Sequence, residues 1–298
     1  MENRIASPSE TKKILDKYDL QLKHGLGQNF LIDSNIIDII ISASEIEGDE
    51  FIIEIGPGIG SLTQALLENL DEGKVLAVEK DSEMIEVLND LFSNKEQLKL
   101  INSDALDLNW KEIKAKYNFE NRPVKLIANL PYYVTTPIIM GVLESGLDLE
   151  QLVFMVQKEV GERICAGPGT KKYGSLSVAV QYYMEPEIIH QVPSAVFMPS
   201  PDVDSVIVSL KPYAENLYQK KVIDKDFFFK IVKSIFQQRR KTLRNSLSKS
   251  AVINLDRDLI TKALEEEGIG LKKRGEKLSI SEMISISNKI YKMRKNID

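Results

Sequence analysis

The sequence predicts an α/β fold followed by a small all-α C-terminal domain, and three observations carry that prediction. Short apolar runs alternate with segments of helical periodicity up to about residue 166. That is the pattern of βαβ units, in which a parallel sheet is covered by helices on both faces. The first long-sheet run, residues 51–55, stops at Gly56-Pro57-Gly58-Ile59-Gly60, a glycine-rich turn leading into a helix. Beyond Pro212 the strand-like runs end, and Phe228, Val232, Ile235 and Phe236 recur at helical spacing with Lys230, Lys233, Arg239 and Arg240 among them. The expected division is residues 1–214, with N-terminal helices and the α/β layer, and residues 215–298, helical and basic.

Each element follows from local pattern. Residues 11–20 carry Ile14, Leu15 and Tyr18 on one side of a short amphipathic helix, and residues 35–44 form a second. Between them, Gly25, Gly27 and Asn29 mark a loop. Strands are expected at 51–55, 75–78, 98–101, 124–128 and 152–156, with helices following at 62–70, 84–91, 137–143 and 160–166. Residues 188–192 and 206–210 have no strong helix between them and fit a final antiparallel pair on one edge. In the C-terminal part, Gly268 after Glu265–Glu267 is a helix stop. Ser279-Ile-Ser-Glu282 has capping-box spacing ahead of Met283 and Ile284.

Composition excludes several classes. A chain of 298 residues with 43 % hydrophobic and 28 % charged side chains is not disordered. One cysteine, Cys165, expected in a helix and in a packing role, rules out a disulfide framework and a multi-cysteine zinc site. The polar N-terminus has no signal-peptide core, and no apolar run approaches the ~18 residues needed to span a bilayer, so a cytoplasmic chain without membrane partners is expected. The net charge of −5 averages two unlike parts. Residues 1–219 carry 19 basic and 34 acidic side chains, net −15, whereas residues 220–298 carry 20 and 10, net +10.

The glycine turn has GxGxG spacing, not the GxGxxG of pyrophosphate binders, and alone it is compatible with a plain tight turn. The acids around it narrow the choice. Glu54 lies two residues before Gly56, Glu79 ends the second strand, and Asp104 follows the third. Open α/β sheets bind ligands at these carboxyl ends, and an acid at the end of the second strand can accept both ribose hydroxyls. Carboxylates disfavour a pyrophosphate and suit a cationic nucleoside, which S-adenosylmethionine is. Structural alternatives stay open: Glu54 as a cap for backbone N–H groups, Asp104 as a turn or N-cap residue before Leu106. Asn129-Leu130-Pro131-Tyr132 follows the fourth strand. An asparagine oxygen and a backbone carbonyl that bind the two hydrogens of an exocyclic amine favour a pyramidal nitrogen, whose lone pair then points at a methyl donor. The proline keeps the preceding residue extended, and a tyrosine can stack on a base. Phe197, in the proline-stiffened Val196–Pro201 segment, is either a second wall of the base pocket or a core aromatic. His24 and His190 lie in no triad spacing and are expected to be structural.

In these residues the chain resembles the ribosomal RNA adenine N6,N6-dimethyltransferases, in particular the bacterial small-subunit (16S) enzymes. The resemblance runs through Gly27-Gln-Asn-Phe-Leu31, Glu54 to Thr63, Val78-Glu-Lys-Asp81 and Asn129 to Pro137. It continues through Pro168-Gly-Thr170 with Tyr173 to Ser177, Phe197 to Ser205, Gln238 to Asn245 and Arg274-Gly-Glu-Lys-Leu278. It implies a Rossmann-like, seven-stranded S-adenosylmethionine-dependent methyltransferase domain with a helical C-terminal domain. It implies cofactor contacts from Asn29, Leu31, Gly56, Glu79, Asp104 and Asn129, and no metal. Asn129 and Leu130 would hold the target amine, and Tyr132 and Phe197 would sandwich the base. The substrate implied is two adjacent adenines in a hairpin near the 3′ end of small-subunit rRNA, as RNA or in a partly assembled 30S particle, with the protein acting as a monomer. Arg239, Arg240, Lys241 and Arg244, expected on a helix, would dock RNA phosphates, the alternative being a solvated helix face. The family pattern has basic residues near 167 and 202, where this chain has Gly167 and Asp202. Rival readings are a large-subunit rRNA adenine methylase of the antibiotic-resistance type, an RNA-binding assembly factor that acts without turnover, and a nicotinamide dehydrogenase. The last is disfavoured by the glycine spacing.

Overall fold

A computed structural model of the chain describes residues 4–21, 27–117, 124–215 and 217–295. It divides the chain into two compact units, residues 1–161 with 186–211, and residues 162–185 with 212–298.

The strands are β1 Phe30–Leu31, β2 Phe51–Ile55, β3 Lys74–Glu79, β4 Leu98–Asn102, β5 Val124–Asn129, β6 Leu149–Gln157, β7 Met184–Val192, β8 Phe197–Met198 and β9 Ser205–Pro212. Seven of them make one sheet in the order β4-β3-β2-β5-β6-β9-β7, and β1 pairs with β8. From β4 to β6 all pairings are parallel, and β9 runs antiparallel to β6. The seven-stranded, Rossmann-like α/β fold expected from sequence is therefore present. The central strands are buried on both faces: β2 shows no exposed residue, and Ile52, Ile53, Val75, Leu76, Leu126 and Ile127 are almost completely shielded. Such strands read as continuous apolar runs, which is why they were visible in the sequence.

Helix ends obey their local chemistry. The first helix, Pro8–Lys17, starts earlier than residue 11 because Ser7 caps the Glu10 N–H and Pro8 sits in its first turn. Ser34–Ala43, Ser61–Glu68, Ser82–Leu91, Thr135–Glu144 and Lys158–Ile164 match the expected helices to within a few residues. Two helices were not expected, Trp110–Tyr117 and Ser175–Tyr183. The first has only a weak apolar face, on which Trp110 and Ile113 are buried. Cys165 lies in the turn just past Ile164, half-buried, not inside a helix.

The second unit is helical around its own core, with Lys225–Gln237, Leu243–Ser248, Arg257–Glu266 and Ile280–Lys295. The expected capping box is formed: Glu282 accepts from Ser279 N–H at 2.9 Å, and Ser279 Oγ accepts from Glu282 N–H at 3.2 Å. Gly268, with φ of 67°, lies two residues past Glu266, just after the C-cap Glu267, and ends the helix. The division differs from a single cut at 214/215, because residues 162–185 belong with the C-terminal helices. Ala166, Tyr173, Val178 and Tyr182 are buried in one cluster with Phe228, Val232 and Leu278, and Tyr182 stacks on Phe228 at 5.4 Å between centroids.

Candidate active site

The carboxyl ends of β2, β3 and β5, the turn after β4 and residues 27–31 enclose one cleft of about 1070 Å3, part of it open to solvent. Its lining contains Asn29, Leu31, Gly56, Glu79, Asp104, Asn129, Leu130 and Tyr132, together with Glu54. Residues a hundred positions apart meet here because β2 lies between β3 and β5.

The glycine turn sets the floor. Gly56, Gly58 and Gly60 have φ of 69°, 56° and 90°, a region that side chains disfavour. A Cβ at Gly60 would lie 2.5 Å from the Phe92 ring, and one at Gly58 3.0 Å from Phe30. A Cβ at Gly56 would start 3.6 Å from Pro131 and 3.8 Å from the Asn129 carbonyl oxygen, so the turn and the Asn129 motif are neighbours across the cleft floor.

Two carboxyls face this turn from buried positions. Glu54 is 1 % exposed and accepts a 2.7 Å hydrogen bond from Thr63 Oγ1. Burial pushes its carboxyl up to about 8, and the nearby Glu79 adds to the rise. Glu79 accepts from the backbone N–H of Asp81 at 2.8 Å and of Gly58 at 3.2 Å, while burial still raises it. Among the described residues no cation pairs with either acid. Asp104 is different. Its Oδ2 accepts from Lys80 Nζ at 2.8 Å and its Oδ1 caps Leu106 N–H at 2.9 Å, and the Lys80 hydrogen bond holds it below the usual range. It therefore is an N-cap, and it also lines the cleft.

Asn129 ends β5 half-buried, and no described residue hydrogen-bonds its side-chain amide. The Leu130 N–H donates to Met155 O at 3.2 Å, and Leu130 is 1 % exposed, so the motif is anchored to β6. The Tyr132 hydroxyl and Ser205 Oγ are 2.6 Å apart, which fixes the ring from β9. Asn29 donates to Gly27 O at 3.1 Å, and Gln28 donates to Asp81 at 2.8 Å, holding residues 27–31 at the cleft. Phe197 is not brought to the cleft lining. It is 3 % exposed, pairs with Leu31 through β1 and β8, and belongs to the hydrophobic core. His190 is exposed on the edge strand β7, away from the cleft lining, and His24 lies outside the described residues.

The sequence signature of the family described as ribosomal RNA adenine dimethylase matches residues 19–292. The chain belongs to the ribosomal RNA adenine dimethylase family. Its relatives include the ribosomal RNA small subunit methyltransferase A of Halothermothrix orenii, 50 % identical over 98 % of this chain and 95 % of the relative. The protein of the same name from Alkaliphilus metalliredigens is 45 % identical over 97 % and 98 %. Among solved structures, a dimethyladenosine transferase from Plasmodium falciparum superposes with a TM-score of 0.73 at 25 % identity, covering 87 % of this chain and 96 % of that one. The 23S rRNA methyltransferase ErmE shares the fold, with a TM-score of 0.65 at 22 % identity over 88 % of this chain and 100 % of that one.

In this dimethylase the predicted RNA-docking residues lie in the helical unit. Arg239, Arg240 and Lys241 are exposed but not helical: the helix ends at Gln237, and Gln238 takes φ −130°, ψ 64°. The chain turns there because Thr242 bridges to Arg274 and caps the next helix. Arg239 Nη2 donates to the carbonyl oxygens of Lys171 and Tyr173 at 2.7 and 2.8 Å, so part of its role is structural. Arg244 is on helix Leu243–Ser248, half-buried, with no hydrogen-bond partner for its Nε among the described residues. Sequence reasoning did not single out Lys80, Thr63, Ser205 or Tyr133. All four lie within the motifs that carry the family resemblance, which is the signal that could have found them, although Ser205 is 73 residues from the tyrosine it fixes.

Proposed function

We propose that this chain transfers methyl groups from S-adenosylmethionine to N6 of two adjacent adenines in the 3′-terminal hairpin of small-subunit rRNA, giving N6,N6-dimethyladenosine during small-subunit biogenesis in the cytoplasm. The observation that carries the reading is the adjacency of the glycine turn and the Asn129-Leu130-Pro131-Tyr132 segment in one cleft.

The cleft suits the donor. Two buried carboxyls without a cationic partner among the described residues favour a ligand bearing positive charge, and the glycine cradle leaves room where a Cβ would fill it. Glu79 is assigned the ribose, Asp104 the adenine edge of the cofactor, and Asn29, Leu31 and Gly56 the walls. When bound, S-adenosylmethionine supplies a methyl already activated by its sulfonium, so no covalent enzyme intermediate is required.

The chain's residues supply position. The Asn129 side-chain oxygen and the Leu130 carbonyl accept the two N6 hydrogens of the target adenine and draw its lone pair out of conjugation. The Tyr132 ring, fixed through Ser205, stacks on the base. The base is flipped out of its loop to reach this site, and orientation contributes much of the rate. Phe197 would reach the base only after leaving its core position, so Tyr132 is assigned the principal stacking role. Arg240, Lys241 and the free part of Arg239 and Arg244 are assigned phosphate contacts, with rRNA or a partly assembled 30S particle as partner and the protein as a monomer.

The test is methylation with labelled S-adenosylmethionine of undermethylated 30S particles against 23S-derived RNA. The expected result is label in adenines of the 30S particle alone. Label only in the 23S-derived RNA replaces this reading with a large-subunit enzyme, and binding without label replaces it with an assembly factor.

A further inference from the structure

Among the large hydrophobic residues exposed on the described surface, Tyr133 is the most exposed, at 53 %. It differs sharply from Tyr132. The Tyr132 hydroxyl is tied to Ser205 and its ring is half-buried, whereas no described residue hydrogen-bonds the Tyr133 hydroxyl. One side of the Tyr133 ring meets Gly27, where a Cβ would sit 3.3 Å from Cδ1, and the residue lines the cleft. Leu106, 45 % exposed, lies two residues past Asp104 on a turn that packs against helix Thr135–Glu144, which begins two residues after Tyr133. The cleft therefore has an aromatic rim beside the acceptor motif, and Leu106 adjoins it through its neighbour Ala105, which lines the cleft.

The unit that carries this rim has 16 basic and 31 acidic side chains, net −15. Its field disfavours contacts with RNA phosphates, so the neutral faces of unpaired bases are what it can hold. Stacking on an aromatic ring is the contact that tolerates any base and does not require a cation.

We infer that Tyr133 is a stacking platform for the nucleotide that neighbours the target adenine, and so a positioning residue distinct from Tyr132. The inference rests on the proposed methylation of adjacent adenines. It explains how an acidic unit keeps hold of an RNA loop while one base occupies the cleft: the neighbouring base stays stacked on the rim, and its contact is insensitive to salt.

The experiment uses the full chain and an RNA hairpin whose loop contains two adjacent unpaired adenines, with equilibrium binding followed across a salt series. Tyr133→Ala is expected to weaken binding about tenfold, in keeping with the loss of one base stack, without changing the slope against salt. Tyr133→Phe is expected to retain wild-type affinity. Removing the base next to the target adenine, as an abasic site, should weaken wild-type binding by a similar factor and abolish any further effect of Tyr133→Ala. Calorimetric affinity for S-adenosylmethionine without RNA should be unchanged in all variants. Equal RNA affinity for wild type and Tyr133→Ala overturns the inference, as does full additivity of Tyr133→Ala with the abasic site. A loss of cofactor affinity with RNA affinity intact also overturns it and makes the ring part of the cofactor site. These failures leave the proposed function standing if the wild-type chain methylates 30S adenines; if it does not, the function itself fails.

Discussion

The two units of this chain solve opposite electrostatic problems. The sheet-bearing unit is net −15, and its cleft holds Glu54 and Glu79 without a cationic partner among the described residues. The helical unit has 23 basic and 13 acidic side chains, net +10, and displays Arg240 and Lys241 on an exposed turn. The charge contrast seen along the sequence thus survives when residues 162–185 are assigned to the helical unit. A cationic donor and a polyanionic RNA cannot both be attracted by one field. On the proposed reading, separate units let carboxylates serve the donor while arginines and lysines serve phosphates.

Perturbations of each unit should have different signatures. The largest effect is expected from Asn129→Ala: kcat for methyl transfer should fall at least about a hundredfold, the scale for removing one preorganised polar contact at a reacting centre. Affinity for the RNA should stay within about twofold. Equal loss of RNA binding and turnover would break the division of labour.

Glu54→Gln comes next. The wild-type carboxyl titrates at about 8 in the folded chain against an ordinary 4.5. Between those values the folded state holds the extra proton, so stability without cofactor should fall as pH rises from about 4.5 to about 8. The ionised form is the one that attracts a cation, so affinity for S-adenosylmethionine should rise as pH passes through the same upper value. Glu54→Gln should flatten both profiles, as read by urea denaturation and by calorimetric titration of the cofactor. Unchanged slopes would remove Glu54 from the account.

The smaller effects lie in the helical unit and separate two neighbouring arginines. Arg239→Ala removes two charge-assisted hydrogen bonds to the Lys171 and Tyr173 carbonyls and should cost about 1 to 3 kcal/mol of stability. Arg240→Ala should leave stability within about 0.5 kcal/mol but lower the salt slope of RNA binding by about one phosphate contact. If both variants behave alike, the exposed turn does not act as read here.

Much of this was legible from sequence, for identifiable reasons. The buried parallel strands read as apolar runs, and the glycines with Glu54, Glu79, Asp104 and Asn129 sit at strand ends, where topology alone brings them together. Caps such as Ser279 with Glu282 are local and were equally visible. What was not legible depends on long-range packing. Phe197 is an aromatic in a proline-rich segment by sequence, and only the pairing of β8 with β1 commits it to the core. Arg239 to Lys241 follow a strongly helical segment, yet the Thr242–Arg274 bridge, between residues far apart in the chain, turns the backbone there. Residues 162–185 precede the last strands in sequence, and the burial of Tyr173 and Tyr182 among the C-terminal helices assigns them elsewhere. Asp104 is the N-cap that its place before Leu106 allowed, whereas the Lys80 hydrogen bond to its other oxygen was not legible from the sequence.

The most direct test of the central claim is nucleoside analysis of undermethylated 30S particles after incubation with S-adenosylmethionine and either the wild-type chain or Asn129→Ala. The account predicts N6,N6-dimethyladenosine at two adjacent positions with the wild type and none with the variant. Absence of dimethyladenosine with the wild-type chain, or its formation at a near-normal rate with Asn129→Ala, would contradict it.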